Sequence, residues 1–456
     1  MEKVFIGELL ASTGGKLLKG RPDDAIGRIS IDTRTIKKGD YYLAIIGKKY
    51  DGHSFIKDAV EKGASGVIFQ EERFIAGKEK SDLALIKVQD TTRALGDFAA
   101  FYRKKWKIPV VAISGSNGKT TTREMLYSIL SKKGKTLSSR GNFNNLIGLP
   151  LTLLEITNKD KYAVVELGIS VPGELDRLSK IASPDIGIIT NIGYTHLEEL
   201  KNREGVFLEK KKLFDNLNKN GCAVINCDDD FLKTLADTKS YEKITFGLDK
   251  SCNVFGDNIK LLADSLSFDL NLFESKVSVK LPVFGAFNVY NAMAASCAAW
   301  KLGVSAAGIK DGLEKFSPPE MRMEQIRLAS GTILVNDAYN SNPSSVREAV
   351  KALSESFAGK EKIVVLGDML ELGERSDEFH SALGEFLDSQ GIDKIFLFGA
   401  KMKKAFDSVR HSFSKHFGTK EELLSELRKE MAPESVVFFK ASRGMALEEV
   451  INKLTR

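Results

Sequence analysis

Residues 110–133 read VVAISGSNGKTTTREMLYSILSKK. Val110, Val111, Ala112 and Ile113 form a short apolar run with the β-branched content of a buried strand. Gly115, Ser116, Asn117, Gly118, Lys119, Thr120, Thr121 and Thr122 follow, and then Met125, Leu126, Ile129 and Leu130 recur at helical spacing. Strand, glycine loop and helix are the parts of a phosphate-binding loop. The glycines let backbone N–H groups turn toward an anion, and the helix N-terminus adds positive potential. Lys119 supplies a charge for the β- and γ-phosphates, and Thr120 supplies a hydroxyl for Mg²⁺. The spacing here is G-x-x-G-K-T, tighter than the common G-x-x-x-x-G-K-[ST], because Ile113 stands where the first glycine would fall. A glycine turn with a chance Lys-Thr is the plainer alternative; the flanking strand and helix favour an ATP site.

The chain has 456 residues, enough for about three domains with their own cores. Hydrophobic residues at 43% and charged residues at 28% exclude a disordered or collagen-like chain. A net charge of +6, from 67 basic and 61 acidic residues, suits anionic substrates and makes no case for nucleic acid. The four cysteines, Cys222, Cys227, Cys252 and Cys297, include no C-x-x-C pair, so free thiols in a reducing cytoplasm are expected rather than disulfides or zinc. The opening MEKVFIGELLASTGG lacks the pattern of a signal peptide, and no window approaches eighteen apolar residues. The expectation is a cytoplasmic protein that does not insert into a membrane.

Residues 1–107 read as a small α/β domain, with strands at 41–46, 66–69 and 83–88 and helices near 54–62 and 91–106. Its polar stretches 30–34 and 47–53 are either ordinary turns or binding loops. Residues 108–316 read as a central domain whose strands near 162–167, 186–191 and 222–226 alternate with helices, which predicts a parallel, doubly wound sheet. Ligands of such sheets sit beyond the carboxyl ends of the strands. Glu166 and Asn191 each end a strand, and His196 lies five residues beyond Asn191. Glu166 beside a phosphate loop suits Mg²⁺, or else a solvated salt bridge. The GNFNN run at 141–145 suits a sugar or peptide, or a capped turn. Residues 317–456 read as a second, smaller nucleotide-binding-like α/β layer with strands at 332–335, 363–366, 394–398 and 436–439. NDAYNSNP at 336–343 follows its first strand and reads either as a grip on ribose and adenine or as a polar turn ended by proline. The fold class expected is therefore α/β with three domains, a central P-loop parallel-sheet ATPase domain between a small N-terminal α/β domain and a C-terminal Rossmann-like domain.

The tight loop at 115–122 resembles that of the Mur ligases, the ATP-dependent amide-bond formers of bacterial cell-wall synthesis. So do GNFNN with GLPLT at 148–152, Glu166-Leu167-Gly168 with Pro172-Gly173-Glu174, Asp337 with YNSNP, and LGDMLELG at 366–373. The likeness covers nearly the whole chain and is most specific from 110 to 375. It implies an ADP-forming carboxylate–amine ligase that joins D-alanyl-D-alanine to a UDP-N-acetylmuramoyl tripeptide through an acyl phosphate, acting as a monomer. Lys119, Glu166, His196 and Lys210 would be catalytic. Two Mg²⁺ ions would be held by Thr120, Glu166, His196 and Lys210, with Lys210 carried as a carbamate, the first of the run Lys210-Lys211-Lys212. ATP would meet Gly115, Ser116, Asn117, Gly118, Lys119, Thr120, Thr121, Asn288, Asn291, Arg322 and Asp337, and Tyr339 would stack on the adenine. Thr33, Arg34, Asp51, His53, Asn142, Asn144, Asn145, Asn340 and Asn342 would contact the other substrates. The sequence departs from the family at Thr33, where Ser is commoner, at Phe287, where His is common, and at Ala441, which replaces a glycine. The runners-up implied are a ligase adding a single amino acid and a folylpolyglutamate synthetase, both disfavoured by the Asn-rich loop and 339–343. A phosphate-loop NTPase switch is the alternative of another class.

Overall fold

The computed structural model describes residues 1–74, 82–237 and 240–455. Val110–Ser114 is buried throughout and lies inside a nine-stranded sheet, between Tyr162–Glu166 and Ile186–Ile189. Its side chains alternate between two cores: Val110 and Ala112 belong to one, Val111 and Ile113 to the other. A strand covered on both faces has no wet side, which is why it reads as a continuous apolar run. The chain passes from this strand to one side of the sheet and only later to the other. That reversal opens a crevice at the strand's carboxyl end, and the phosphate loop occupies it.

The helix Lys119–Ser131 starts directly at the loop and buries Met125, Leu126, Ile129 and Leu130 against the sheet. Each fully buried side chain of this kind contributes about 1.5–3 kcal/mol. Parallel pairing runs from Thr136–Ser138 to Val254–Leu261. The parallel sheet expected is found over these strands and gives way only at the far edge. Val254–Leu261, Leu266–Leu272 and Ser275–Leu281 form an antiparallel meander at the far edge. Its middle strand alternates buried and half-exposed residues, the pattern of a sheet with one wet face.

Two further lobes flank this one, each built on its own sheet. The first has five strands, with Lys16–Lys19 antiparallel at its edge and the rest parallel. The strand expected at 41–46 ends at Leu43, because the chain bends into an isolated bridge between Ile46 and Asp51. The helix expected from 54 begins as a tighter turn, Gly52–Phe55, capped by the Asp51 carboxylate, before Ile56–Glu61. The third lobe has six strands, parallel except for Glu324–Arg327.

Hydrogen bonds tie the lobes together. From the first lobe's helix Thr91–Lys104, Tyr102 donates its hydroxyl to the Ile156 carbonyl at 2.6 Å, and Arg103 reaches Asp185 at 3.0 Å. Among the described residues no helix is long and apolar enough to cross a membrane.

Candidate active site

The phosphate loop is shaped by two glycines that no other residue could replace without movement. At Gly115, φ is +142° and a Cβ would stand 1.9 Å from Thr190 Oγ1; at Gly118, φ is +81° and a Cβ would stand 2.1 Å from Asn291 Oδ1. The turn after Ile186–Ile189 braces the loop from outside. Thr190 and Asn191 both donate to the Asn117 carbonyl, and Asn191 accepts from the Asn117 N–H at 3.0 Å. Lys119 is folded back on its own loop, Nζ donating to the carbonyls of Gly115 at 2.7 Å and Ser116 at 3.2 Å. Burial pulls its pKa down to about 8; Glu166 opposes that shift and Arg322 adds to it.

Glu166 closes its strand with a side chain that is almost fully buried and fully used. Oε2 accepts from Thr120 Oγ1 at 2.9 Å and, at 3.4 Å, from Arg123; Oε1 accepts from Asn144 at 3.0 Å. Arg123 was not legible as a site residue, since nothing in GKTTTRE shows which side of the helix meets Glu166.

In the helix Arg203–Asp215 the three consecutive lysines have different fates. Lys211 pairs with Asp215 at 2.8 Å and Lys212 with Glu209 at 2.7 Å. Glu209 in turn accepts the N–H groups of Gly173 and Leu175 at 2.9 and 3.0 Å. Lys210 is 1% exposed and faces the same cavity as Lys119 and Glu166. Burial drives its pKa well below the usual lysine range; the charge of Lys119 helps, while Glu209 and Glu166 oppose. The signal lay in the periodicity: Lys210 falls on the helix face of the buried Val206, Leu213 and Phe214.

The third lobe supplies the opposite wall. Lys440 pairs with Asp337 at 2.5 Å and donates to the Asn340 carbonyl at 3.0 Å. The Arg322 guanidinium lies 4.2 Å over the Tyr339 ring, so one face of the ring expected to stack on adenine is already covered. Asn342 reaches Asn117 at 2.7 Å. From the central lobe, Asn288 is anchored to the Phe284 carbonyl and Asn291 to Asn288. His196 places Nδ1 2.7 Å from Glu371 of the third lobe.

A cavity of about 300 Å³ brings together Ser116, Asn117, Gly118, Lys119, Thr121, Asn144, Asn145, Glu166, His196, Lys210, Asn288, Asn291, Arg322, Asp337, Tyr339, Asn340 and Asn342. A second space of about 580 Å³ opens behind the loop, between Asp228–Asp230, Tyr290 and Glu348.

Several expected residues lie elsewhere. Thr120 sits behind the cavity wall on Glu166, and Asn142 is exposed outside it. Thr33, Arg34, Asp51 and His53 are in the first lobe, away from this cavity. Arg34 is paired with Asp32 at 2.7 Å, and the Thr33 carbonyl accepts from Lys62. His53 is 0% exposed, with Nδ1 at 2.6 Å from Asp51 and Nε2 accepting the Gln70 N–H, so that both ring nitrogens have partners inside the lobe and the ring braces the loop.

Among the described residues no three of His, Cys, Asp and Glu are placed to hold a metal ion. Glu166 and His196 both face the cavity, with the Thr120 hydroxyl on Glu166, and such a carboxylate, imidazole and hydroxyl fit a magnesium ion that takes its remaining ligands from phosphates and water.

These features define a phosphate-loop, ATP-binding α/β protein of three lobes that closes its site between the second and third. Models of the Mur ligase family match the chain along its length: the family's catalytic domain over 25–103, the middle domain over 113–299 and the glutamate ligase domain over 321–443. The chain belongs to the Mur ligase family. It is 33% identical over 431 residues to the UDP-N-acetylmuramoyl-tripeptide–D-alanyl-D-alanine ligase of Bacillus subtilis, covering 93% of this chain and 92% of that one. The ligase of the same name from Escherichia coli is 33% identical over 458 residues, covering 100% and 99%. Among solved structures, MurF from Acinetobacter baumannii superposes with a TM-score of 0.92 at 34% identity, covering 100% and 99%. MurF from Thermotoga maritima, in complex with ADP, gives 0.83 at 27%, covering 93% and 96%.

Proposed function

We propose that this chain is an ATP-dependent ligase that joins D-alanyl-D-alanine to a UDP-N-acetylmuramoyl tripeptide. The observation that carries this reading is the cavity in which Lys119, Glu166 and Lys210 face Arg322 and Asp337. The domains are drawn at 1–107 for the uridine nucleotide end, 108–316 for ATP and 317–456 for ATP and the incoming dipeptide. All four cysteines are free thiols, in keeping with a cytoplasmic enzyme, and the reading is of a monomer.

A carboxylate resists attack because it is anionic and its oxygen is a poor leaving group. Transfer of the γ-phosphoryl group of ATP to the terminal carboxylate of the tripeptide removes both obstacles. The dipeptide amine then attacks the acyl carbon, the C–O bond to phosphate breaks, the amine loses its proton, and ADP and phosphate depart. Phosphoryl transfer asks the protein for positioning and charge stabilisation rather than covalent help. Lys119 supplies that charge by exchanging its loop carbonyls for phosphate oxygens, with the loop N–H groups beside it. Thr120, Glu166, His196 and Lys210 would hold magnesium, which when bound neutralises charge on the phosphates. Lys210 is read as the carbamate: burial pushes its pKa down and so favours the neutral amine, the form that adds CO₂ with loss of a proton to give an anion. Arg322 and Asp337 grip phosphate and ribose. Asn144, Asn145, Asn340 and Asn342 line the path of the peptide and the amine, and Thr33, Arg34 and Asp51 belong to the nucleotide end.

The test is phosphate release from ATP with the two substrates supplied singly and together. Release that needs both the nucleotide tripeptide and D-alanyl-D-alanine supports the reading. Release at the same rate with neither points to an NTPase switch, and release with a single amino acid or a folate points to another member of the fold.

A further inference from the structure

His196 and Glu371 meet where the third lobe seats on the central one. Both hold left-handed backbone, with φ +54° and +62°, a conformation that a residue with a side chain disfavours. Such strain persists where surrounding contacts over-determine it, and here they do. The Glu198 N–H points at the Glu371 carbonyl at 3.4 Å, and a Cβ on Gly373 would stand 3.2 Å from Glu198 Cα, so the two turns touch backbone to backbone. Tyr194 packs on Phe379 beside them, ring centroids 5.1 Å apart.

An imidazole binds a cation through the lone pair of one ring nitrogen, and the other nitrogen must then carry the proton. An acceptor on that N–H fixes both the tautomer and the ring's orientation. Glu371 Oε2, 2.7 Å from Nδ1, is such an acceptor, and it leaves Nε2 with the lone pair on a ring that lines the cavity of Lys119, Glu166 and Lys210. The acceptor belongs to a different lobe from the ring that it orients.

We propose that Glu371 is a positioning residue that couples seating of the third lobe to assembly of the cation site, because its carboxylate is what presents Nε2 of His196 to the ion. This rests on the reading of His196 as a cation ligand. It makes cation binding and closure reciprocal, each favouring the other by the same factor.

The experiment is a titration of the full chain with Mn²⁺ in the presence of ADP, followed by the electron paramagnetic resonance of the free ion. Glu371→Ala is expected to weaken Mn²⁺ binding about 10–100-fold, the usual effect of losing a histidine's outer partner. Glu371→Gln, whose amide oxygen accepts the same hydrogen bond, is expected to recover most of that, and metal-free ADP binding should be unchanged in both. The side chain is 58% exposed, so its removal opens no core. Wild-type Mn²⁺ affinity in Glu371→Ala with loss in His196→Ala overturns the coupling and leaves the ligand reading intact; wild-type affinity in both variants overturns the two together. A loss that Glu371→Gln does not recover, with metal-free ADP binding weakened as well, is a folding defect and also overturns it.

Discussion

Asn342 caps the helix Pro343–Ser356 with its side-chain oxygen and, with its side-chain nitrogen, donates to Asn117 in the phosphate loop at 2.7 Å. One amide therefore starts a helix of the third lobe and fastens that lobe to the nucleotide site.

These two duties separate on substitution. Asn342→Ser keeps an oxygen that caps well and is too short to reach Asn117. A net hydrogen bond is worth about 0.5–1.5 kcal/mol, so the apparent ATP affinity of Asn342→Ser should fall about 2- to 10-fold with an unchanged melting temperature. Asn342→Ala should lose the same affinity and about 1 kcal/mol of stability besides. The measurements are the KM for ATP and thermal melting. Equal ATP affinity in wild type and Asn342→Ser would show that the bridge does not bear on closure.

Lys119 predicts a pH dependence. In the free protein its ammonium, pressed by burial, titrates at about 8. A bound triphosphate stabilises the charged form and raises that value. Between the two pKa values each binding event takes up a proton, so nucleotide affinity should fall as pH rises above about 8, by up to tenfold per unit. Lys119→Arg stays charged throughout this range and should show a flat profile. Lys119→Ala should lose about 10²–10³ in turnover, as when one preorganised donor is removed. Calorimetric titration of an unreactive ATP analogue between pH 7 and 10 checks the first two, and phosphate release checks the third.

The loop and the strands that carry it were legible because buried parallel strands are unbroken apolar runs and phosphate loops need glycine. Glu166 could be placed for the same reason, as the last residue of such a run. What escaped the sequence depends on faces and docking. The antiparallel meander beyond residue 254 has half-wet strands, and of these only LSFDLNL shows in its sequence the strict apolar–polar alternation that such a strand needs. His53 was placed at a substrate by resemblance, and nothing in DGH shows that Asp51 and Gln70 take both its ring nitrogens inside the lobe. Glu371 lies 175 residues from His196, and no local spacing foretells that pair. Lys210 was singled out by resemblance; the structure supplies the physical reason, burial opposite Lys119 and Glu166, that its two neighbours lack.

Gly118 gives a sharper test of the loop's shape. Its φ of +81° is strained for any residue with a Cβ, and that Cβ would collide with Asn291 Oδ1. The left-handed strain alone is about 1–2 kcal/mol, so Gly118→Ala should weaken ADP binding about tenfold or more. The strand and helix around it are packed by other residues, so circular dichroism should be unchanged. Wild-type ADP affinity in this variant would mean that the loop does not hold the nucleotide.

Lys210 and Lys211 are adjacent and should behave in opposite ways. Lys211 is spent on a surface pair with Asp215, and such pairs are worth about 0–1 kcal/mol; Lys211→Ala should keep near wild-type turnover. Lys210 is enclosed, and burial with the nearby Lys119 pushes its pKa well down, which favours the neutral amine. A neutral amine adds CO₂, whereas an ammonium has no lone pair to do so. Protein equilibrated with ¹³C-bicarbonate should therefore show one carbamate carbonyl resonance that Lys210→Ala abolishes and Lys211→Ala retains. Turnover should fall in CO₂-free buffer and return when bicarbonate is added. An uncharged lysine at this place would bring no anion to a magnesium ion between phosphates, and an ammonium would repel it. Full activity in Lys210→Ala, or a resonance that survives in it, would remove the carbamate from this site.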